Sequence, residues 1–410
     1  MTRLRAEIGI VAAGVALAVG CGSVSTSSDG GGRGGGGADT GGTTGTGGTG
    51  GTGGGGRGGA AGSFTPTRDV DILFMVDNSS STESLQKNLL QNFPTFMSTL
   101  QAQPGGLPNI HIAVITSDIG AGDGSIAGCD TTGGNMGIFQ YTPRGTCTAT
   151  HLTPGETFIT NINGVGNYTG NLADVFSCIA QVGSTGCGFE QPLAAIARAL
   201  GADGKPAPAE NAAFLRPNAL LFIVIVTNED DCSVPAGSLL YDTSNNMTLG
   251  SALGPPSNFR CNEFGHLCNG AKPPRKAPTG SISDTVTLTG CTSAEQAGML
   301  TPVATFVAQL RALKQFPDDQ ILISAIAAPP TPYTVNWKAA PTSDTGPWPF
   351  MAHSCTATDG SFGDPAVRIA NLVTAFGANG VANSVCDTSY ASTFDRLGQL
   401  LGRALNPSPH

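Results

Sequence analysis

The sequence predicts an α/β fold, a doubly wound and mostly parallel sheet that carries long, disulfide-bonded loop insertions. Three observations lead to it. Short apolar runs occur at DILFMV (71–76), IHIAVIT (110–116), ALLFIVIVT (219–227) and QILISAIA (320–327), the pattern of strands that helices cover on both faces. Helical patterns lie between them, so strand alternates with helix. The surplus length falls at about 118–170, 228–292 and 328–364, and each of these inserts follows a strand directly. In open parallel sheets, ligands bind beyond the carboxyl ends of the strands, so all three inserts are expected at one edge.

Taken in order, the chain opens with Arg3 and Arg5, an apolar run IGIVAAGVALAVG, and Cys21. Residues 1–21 therefore read as an export signal, too short to span a bilayer. Leu17 to Cys21, LAVGC, resembles the lipobox of bacterial lipoproteins. That resemblance implies that Cys21 becomes lipid-modified, that the membrane is reached through the lipid alone, and that the protein resides in the cell envelope. Gly22 after the cysteine implies the outer membrane, on its periplasmic or surface face. Residues 22–63 are almost all Gly, Thr and Ser and cannot bury enough surface to offset the entropy of ordering. They form a tether with a typical reach of about 35 Å. Within it, GTGGTG (45–50) matches a dinucleotide-binding glycine pattern, but no strand precedes it and no helix follows, so no nucleotide site is expected.

The folded part is expected over 68–406. Leu85, Leu89, Phe93, Phe96, Met97 and Leu100 share one face of a first helix, with Pro94 inside it as a kink point. A second helix spans about 190–201. Val303, Phe306, Val307, Leu310 and Leu313 define a third, with Thr301 as its cap and Pro302 as its first residue. The last carries Phe394, Leu397, Leu400 and Leu401.

There are eleven cysteines, and removing Cys21 leaves ten: Cys129, Cys147, Cys178, Cys187, Cys232, Cys261, Cys268, Cys291, Cys355 and Cys386. An even set in an exported chain reads as a disulfide framework. Closeness in sequence pairs 129 with 147, 178 with 187, 261 with 268, 232 with 291 and 355 with 386. The cross-links are expected because the inserts lack cores of their own.

The net charge of −9 and pI near 4.9 exclude nucleic acid and anionic membrane faces as electrostatic partners and suit a cation. His151, His353 and His410 have no neighbouring pattern that reads as a nucleophile elbow or triad, so no enzyme is expected. His111, inside a strand, reads as a satisfied core or edge residue. Trp337 and Trp348 read either as exposed contacts or, more simply, as local packing of a loop.

Residues 72–83, ILFMVDNSSSTE, end a strand with Asp77, Ser79 and Ser81 at alternate positions, just before a helix. A hard divalent cation takes about six oxygens, and hydroxyls spaced this way at a strand-to-helix turn can converge on one point. The bland reading is that Ser79 or Ser81 caps the helix, with Glu83 and Ser84 in its first turn. Asp77-Asn-Ser79-Ser-Ser81 resembles the Asp-x-Ser-x-Ser signature of the von Willebrand factor type A domain, whose integrin members bind ligands through a metal ion-dependent adhesion site. The resemblance covers 68–406 apart from the inserts. It implies Ser79 and Ser81 as direct ligands, Asp77 as a ligand through water, and a bound Mg²⁺, Ca²⁺ or Mn²⁺.

Two departures alter the remaining ligands. Where the family has a Thr about six residues before an Ala-Ile pair, counting back from Ala195-Ile196 gives Glu190, and Thr185 is the other candidate. Where the family ends a strand with Thr-Asp-Gly, this chain has Thr227-Asn228-Glu229, followed by Asp230 and Asp231. An acid is lost at Asn228 and one is gained at Glu190, with Asp230 or Asp231 reaching in. The expected function is divalent-metal-dependent binding or adhesion to a protein or other macromolecular partner. The alternative is a metal-free structural or assembly lipoprotein that uses its loops, and a metal-dependent hydrolase stands behind both.

Overall fold

The apolar runs become the centre of one seven-stranded sheet in a computed structural model that describes residues 64–406, apart from 66, 123–125, 127–128, 130–133, 145–146, 148–150, 244–246 and 342–343. The export signal, Cys21 and the tether lie outside the described residues. The sheet strands are β1 (Asp69–Val76), β2 (Asn109–Thr116), β3 (Ile159–Ile162), β4 (Val165–Gly166), β5 (Leu220–Val226), β6 (Ile321–Ala327) and β7 (Gly380–Ser384). Their spatial order is β7-β6-β5-β1-β2-β3-β4. The five strands from β7 to β2 pair in parallel, and β3 and β4 add an antiparallel edge. The principal helices are α1 (Glu83–Gln101), α2 (Leu172–Ala180), α3 (Pro192–Ala199), α4 (Phe259–Gly265), α5 (Val303–Arg311), α6 (Val367–Ala375) and α7 (Ala391–Leu405).

Alternation along β1 explains the layering, because successive strand side chains point to opposite faces. Val70, Ile72, Phe74 and Val76 pack with Phe93 and Phe96 of α1, Phe176 of α2 and Phe394 of α7. Leu73 and Met75 pack on the other face with Ile196 of α3, Phe306 of α5 and Ile369 of α6. Each fully buried side chain of this size contributes about 1.5–3 kcal/mol, so the sheet is held from both sides.

Several expectations are corrected. The edge strands β3, β4 and β7 are not apparent in the sequence, since ITNI and GVANS are polar or small and are not fully buried. Helix α1 contains Pro94, as expected. Helix α5 begins at Val303, one residue later than expected, and has no side-chain cap. The inserts do have small cores: one around Phe189, Leu240, Tyr241 and Phe264, and another around Phe259, Tyr333, Val335 and Trp337. Trp337 is buried there and donates to the Arg275 carbonyl, so it packs the loop.

Only one expected disulfide is formed as paired above, Cys355–Cys386; the others are Cys129–Cys187, Cys147–Cys178, Cys232–Cys261 and Cys268–Cys291. Nearness in sequence fails for a physical reason. Cys261 belongs to the cluster that holds Cys232, and Cys268 to the cluster that holds Tyr333, so neighbouring cysteines face different cores. Among the described residues, no helix is long and apolar enough to cross a membrane.

Candidate metal centre

Sheet register brings the site together. Val76 of β1 lies level with Thr116 of β2 and Val226 of β5, so the next residues, Asp77, Ser117 and Thr227, leave the sheet side by side. The chain passes from β1 to β2 on one side and later returns to β5 on the other, so β1 and β5 flank the reversal of strand order where such sheets open a crevice. Fully buried Asp77 accepts from the Thr227 hydroxyl at 2.6 Å on one carboxylate oxygen. Its other oxygen accepts from the Ser79 N–H at 2.9 Å and the Ser117 hydroxyl at 3.3 Å. Burial raises the Asp77 pKa, and Thr227 foremost, then the Ser79 N–H and hydroxyl and the Ser117 hydroxyl, oppose the rise.

The turn after Asp77 does not cap the helix with serine. Thr82 occupies the position before α1 and uses its hydroxyl on the Ser79 carbonyl. The Ser79 hydroxyl is buried, lies near the Asp77 carboxylate, and meets no hydrogen-bond partner in good geometry. Half-buried Ser81 accepts from the Asn228 amide at 3.0 Å, while the Asn228 amide oxygen is buried and unpartnered.

Glu190, just ahead of α3, completes the group. It is 2 % exposed, and one of its carboxylate oxygens has no partner. Burial pushes its pKa well above the usual carboxylate range, and the charges of Glu229 and Asp77 push it further. Glu229 is raised to about 7, by desolvation first and then by the charge of Asp364, against a hydrogen bond from Asn258. Thr185, the other candidate for this position, is exposed on the preceding loop.

Asp230 and Asp231 do not reach in with the others. Asp230 accepts from the backbone N–H groups of Arg368 and Ile369, at the start of α6, and from His266 at 3.0 Å. Burial raises its pKa, but the His266 contact and Arg368 together hold it below the usual range. Asp231 accepts from the Arg368 guanidinium at 2.8 Å and from the Leu193 N–H. Both acids are used to fasten α6 and α3 to the end of β5. The acid that does face Glu190 is Glu229; it and Thr227 stand in the Thr-Asn-Glu sequence without a ligand role expected for them, and Ser117 is not singled out by the sequence. A signal exists for both hydroxyl residues, since Thr227 ends one expected apolar run and Ser117 directly follows another.

Buried polar atoms are nearly always hydrogen-bonded, and an unpartnered one costs about 1–3 kcal/mol. Six such side-chain atoms occur among the described residues, and three of them, on Ser79, Glu190 and Asn228, belong to expected ligands. Hydroxyl, amide and carboxylate oxygens are the donors a hard divalent cation takes, so the residues present fit the ion. Among the described residues, no group of three or more His, Cys, Asp or Glu side chains is arranged to hold a metal; the donors here are largely hydroxyl and amide. No protein-family model and no curated protein matches the sequence.

Proposed function

We propose that the chain is a divalent-cation-binding module of the von Willebrand factor A type, carried on the cell envelope by a lipid on Cys21 and binding a protein or other macromolecular partner. The observation that carries this reading is the coincidence of three buried, unpartnered oxygens with Ser79, Glu190 and Asn228. The order of strand, Asp-x-Ser-x-Ser turn, helix and a later strand ending in Thr-Asn-Glu supports it. Ser79, Ser81, Glu190 and Asn228 would hold the ion, with Asp77 behind them, held by Thr227 and Ser117. The ion would supply positive charge where the side chains supply only oxygens.

One observation favours a metal-free alternative, in which the loops alone do the binding. The Asn228 amide already bonds Ser81 at 3.0 Å, so part of the site satisfies itself. Titration calorimetry with Mg²⁺, Ca²⁺ and Mn²⁺ separates the two. Saturable heat that disappears in Ser79→Ala supports the cation; no heat with any of the three ions supports the metal-free form.

A further inference from the structure

We infer that Glu190 is an internal ligand that closes the cation's coordination sphere, so that the ion stiffens the loops over the sheet edge and is not offered to a carboxylate of the partner. The inference rests on the cation reading above and specifies how that site meets a partner.

Burial is the first observation. Asp77 is 0 % exposed, Ser79 3 %, Glu190 2 % and Asn228 2 %, which leaves half-buried Ser81 as the most accessible of the expected donors. A partner's side chain would have to pass whatever covers them.

The segments around these donors are fastened to one another and to α1. The segment before α3 is held to α1 by the Gln86 side chain, which donates to the Gly183 carbonyl at 2.7 Å. Gly186 donates its N–H to the Asn78 carbonyl at 2.8 Å, and it lies so close to the Asn78 side chain that a Cβ there would collide with it. Cys187 is bonded to Cys129 of the first insert. The Glu190 carbonyl accepts from the Cys232 N–H at 2.8 Å, and the Gln191 N–H donates to the Ser117 carbonyl at 3.0 Å. Across the site, the Asp364 N–H donates to the Asn228 carbonyl at 2.8 Å, and a Cβ at Gly363 would collide with Ala328 and Val385. Opening the site therefore means breaking several backbone hydrogen bonds around a disulfide.

Charge is the third observation. Asp77 and Glu190 already offset a divalent ion, and Glu190, Glu229 and Asp364 line one small cavity. A further carboxylate from a partner would enter a buried region already crowded with negative charge, where repulsion is poorly screened. Glu190 supplies that carboxylate from within the chain.

Water-proton relaxation of the full chain loaded with Mn²⁺ tests this, because relaxivity reports exchanging water on the ion. The expected result is low relaxivity per bound Mn²⁺ that acetate does not change, together with removal of the ion by EDTA over minutes or longer. In Glu190→Ala, relaxivity should rise severalfold and acetate should lower it. Glu190→Thr, which restores a hydroxyl, provides a second variant with the same expectation. The EDTA rate is measured on the unmodified chain and needs no variant to fold. High relaxivity in the unmodified chain that falls with acetate would overturn the closed site while leaving the ion in place. Equal relaxivity in all three proteins, or EDTA removal within mixing time, would overturn it too. Absence of any bound Mn²⁺ would remove the cation reading itself, and the inference with it.

Discussion

The Thr227 hydroxyl donates to the Asp77 carboxylate at 2.6 Å across 150 residues of sequence, joining the ends of β1 and β5. Asp77 is fully buried, and a hydrogen bond to a charged group contributes about 1.5–3 kcal/mol. Thr227→Val keeps the shape and deletes the donor. It should lower unfolding free energy by about that amount in urea titrations without cation, while Thr227→Ser should lose less than about 1 kcal/mol. Equal stability of all three would mean that Asp77 does not depend on this bond.

Ser79 behaves in the opposite sense. Its hydroxyl is buried with no hydrogen bond in good geometry, and removing such a group relieves a desolvation cost. Ser79→Ala should therefore be as stable as the unmodified chain in EDTA, or slightly more stable. At an ion concentration about 100 times the dissociation constant, the unmodified chain should gain about 2.7 kcal/mol and the variant little. Thermal unfolding with and without Ca²⁺ or Mg²⁺ measures both. A variant that is weaker in EDTA would assign the hydroxyl a structural bond.

Arg368 gives the sharpest stability test outside the site. It is fully buried, pairs with Asp231 at 2.8 Å and Glu295 at 2.5 Å, and donates to the Thr301 carbonyl. Breaking one side of a buried pair leaves an uncompensated charge, at a cost of about 3–5 kcal/mol. Arg368→Met should lose stability on that scale by chemical denaturation, because Asp231 also holds the first turn of α3 through the Leu193 N–H. A loss below about 1 kcal/mol would mean that Asp231 finds water or another partner.

These relationships were unequally legible in the sequence. The four central strands were plain because both their faces are buried, which removes polar alternation. Asp77, Ser79 and Ser81 could be placed because they share one turn. Glu190 could be reached by counting back from Ala195-Ile196. The later acids could not be sorted: Asn228 through Asp231 are four consecutive polar residues, and which of them faces the site depends on where Arg368 and His266 arrive, 137 and 36 residues away. Disulfide pairing failed for the same reason, since it depends on how two inserts fold over one sheet edge. Edge strand β7, with Ala382 exposed, carries too little apolar surface to announce itself.

At the opposite end of β1, Lys314 offers a pH test remote from the cation site. Its ammonium group is buried, donates to the Arg216 carbonyl at 2.6 Å and lies 3.8 Å from Asp71. Burial depresses its pKa from 10.5 to about 8, against the pull of Asp71. Between those values the unfolded chain holds a proton that the folded chain has released, so this residue makes stability rise as pH increases through the window. Below about pH 8 both states are charged and the contribution is flat. Tyr241 and Tyr333, raised well above 10 by burial, act only at higher pH. Lys314→Met removes the titrating group and leaves Arg216 on Asp71 at 2.7 Å. Melting temperatures measured from pH 7 to pH 10 should therefore show the unmodified chain gaining on the variant as pH rises. A constant difference across that range would mean that the lysine keeps its ordinary pKa in the folded protein.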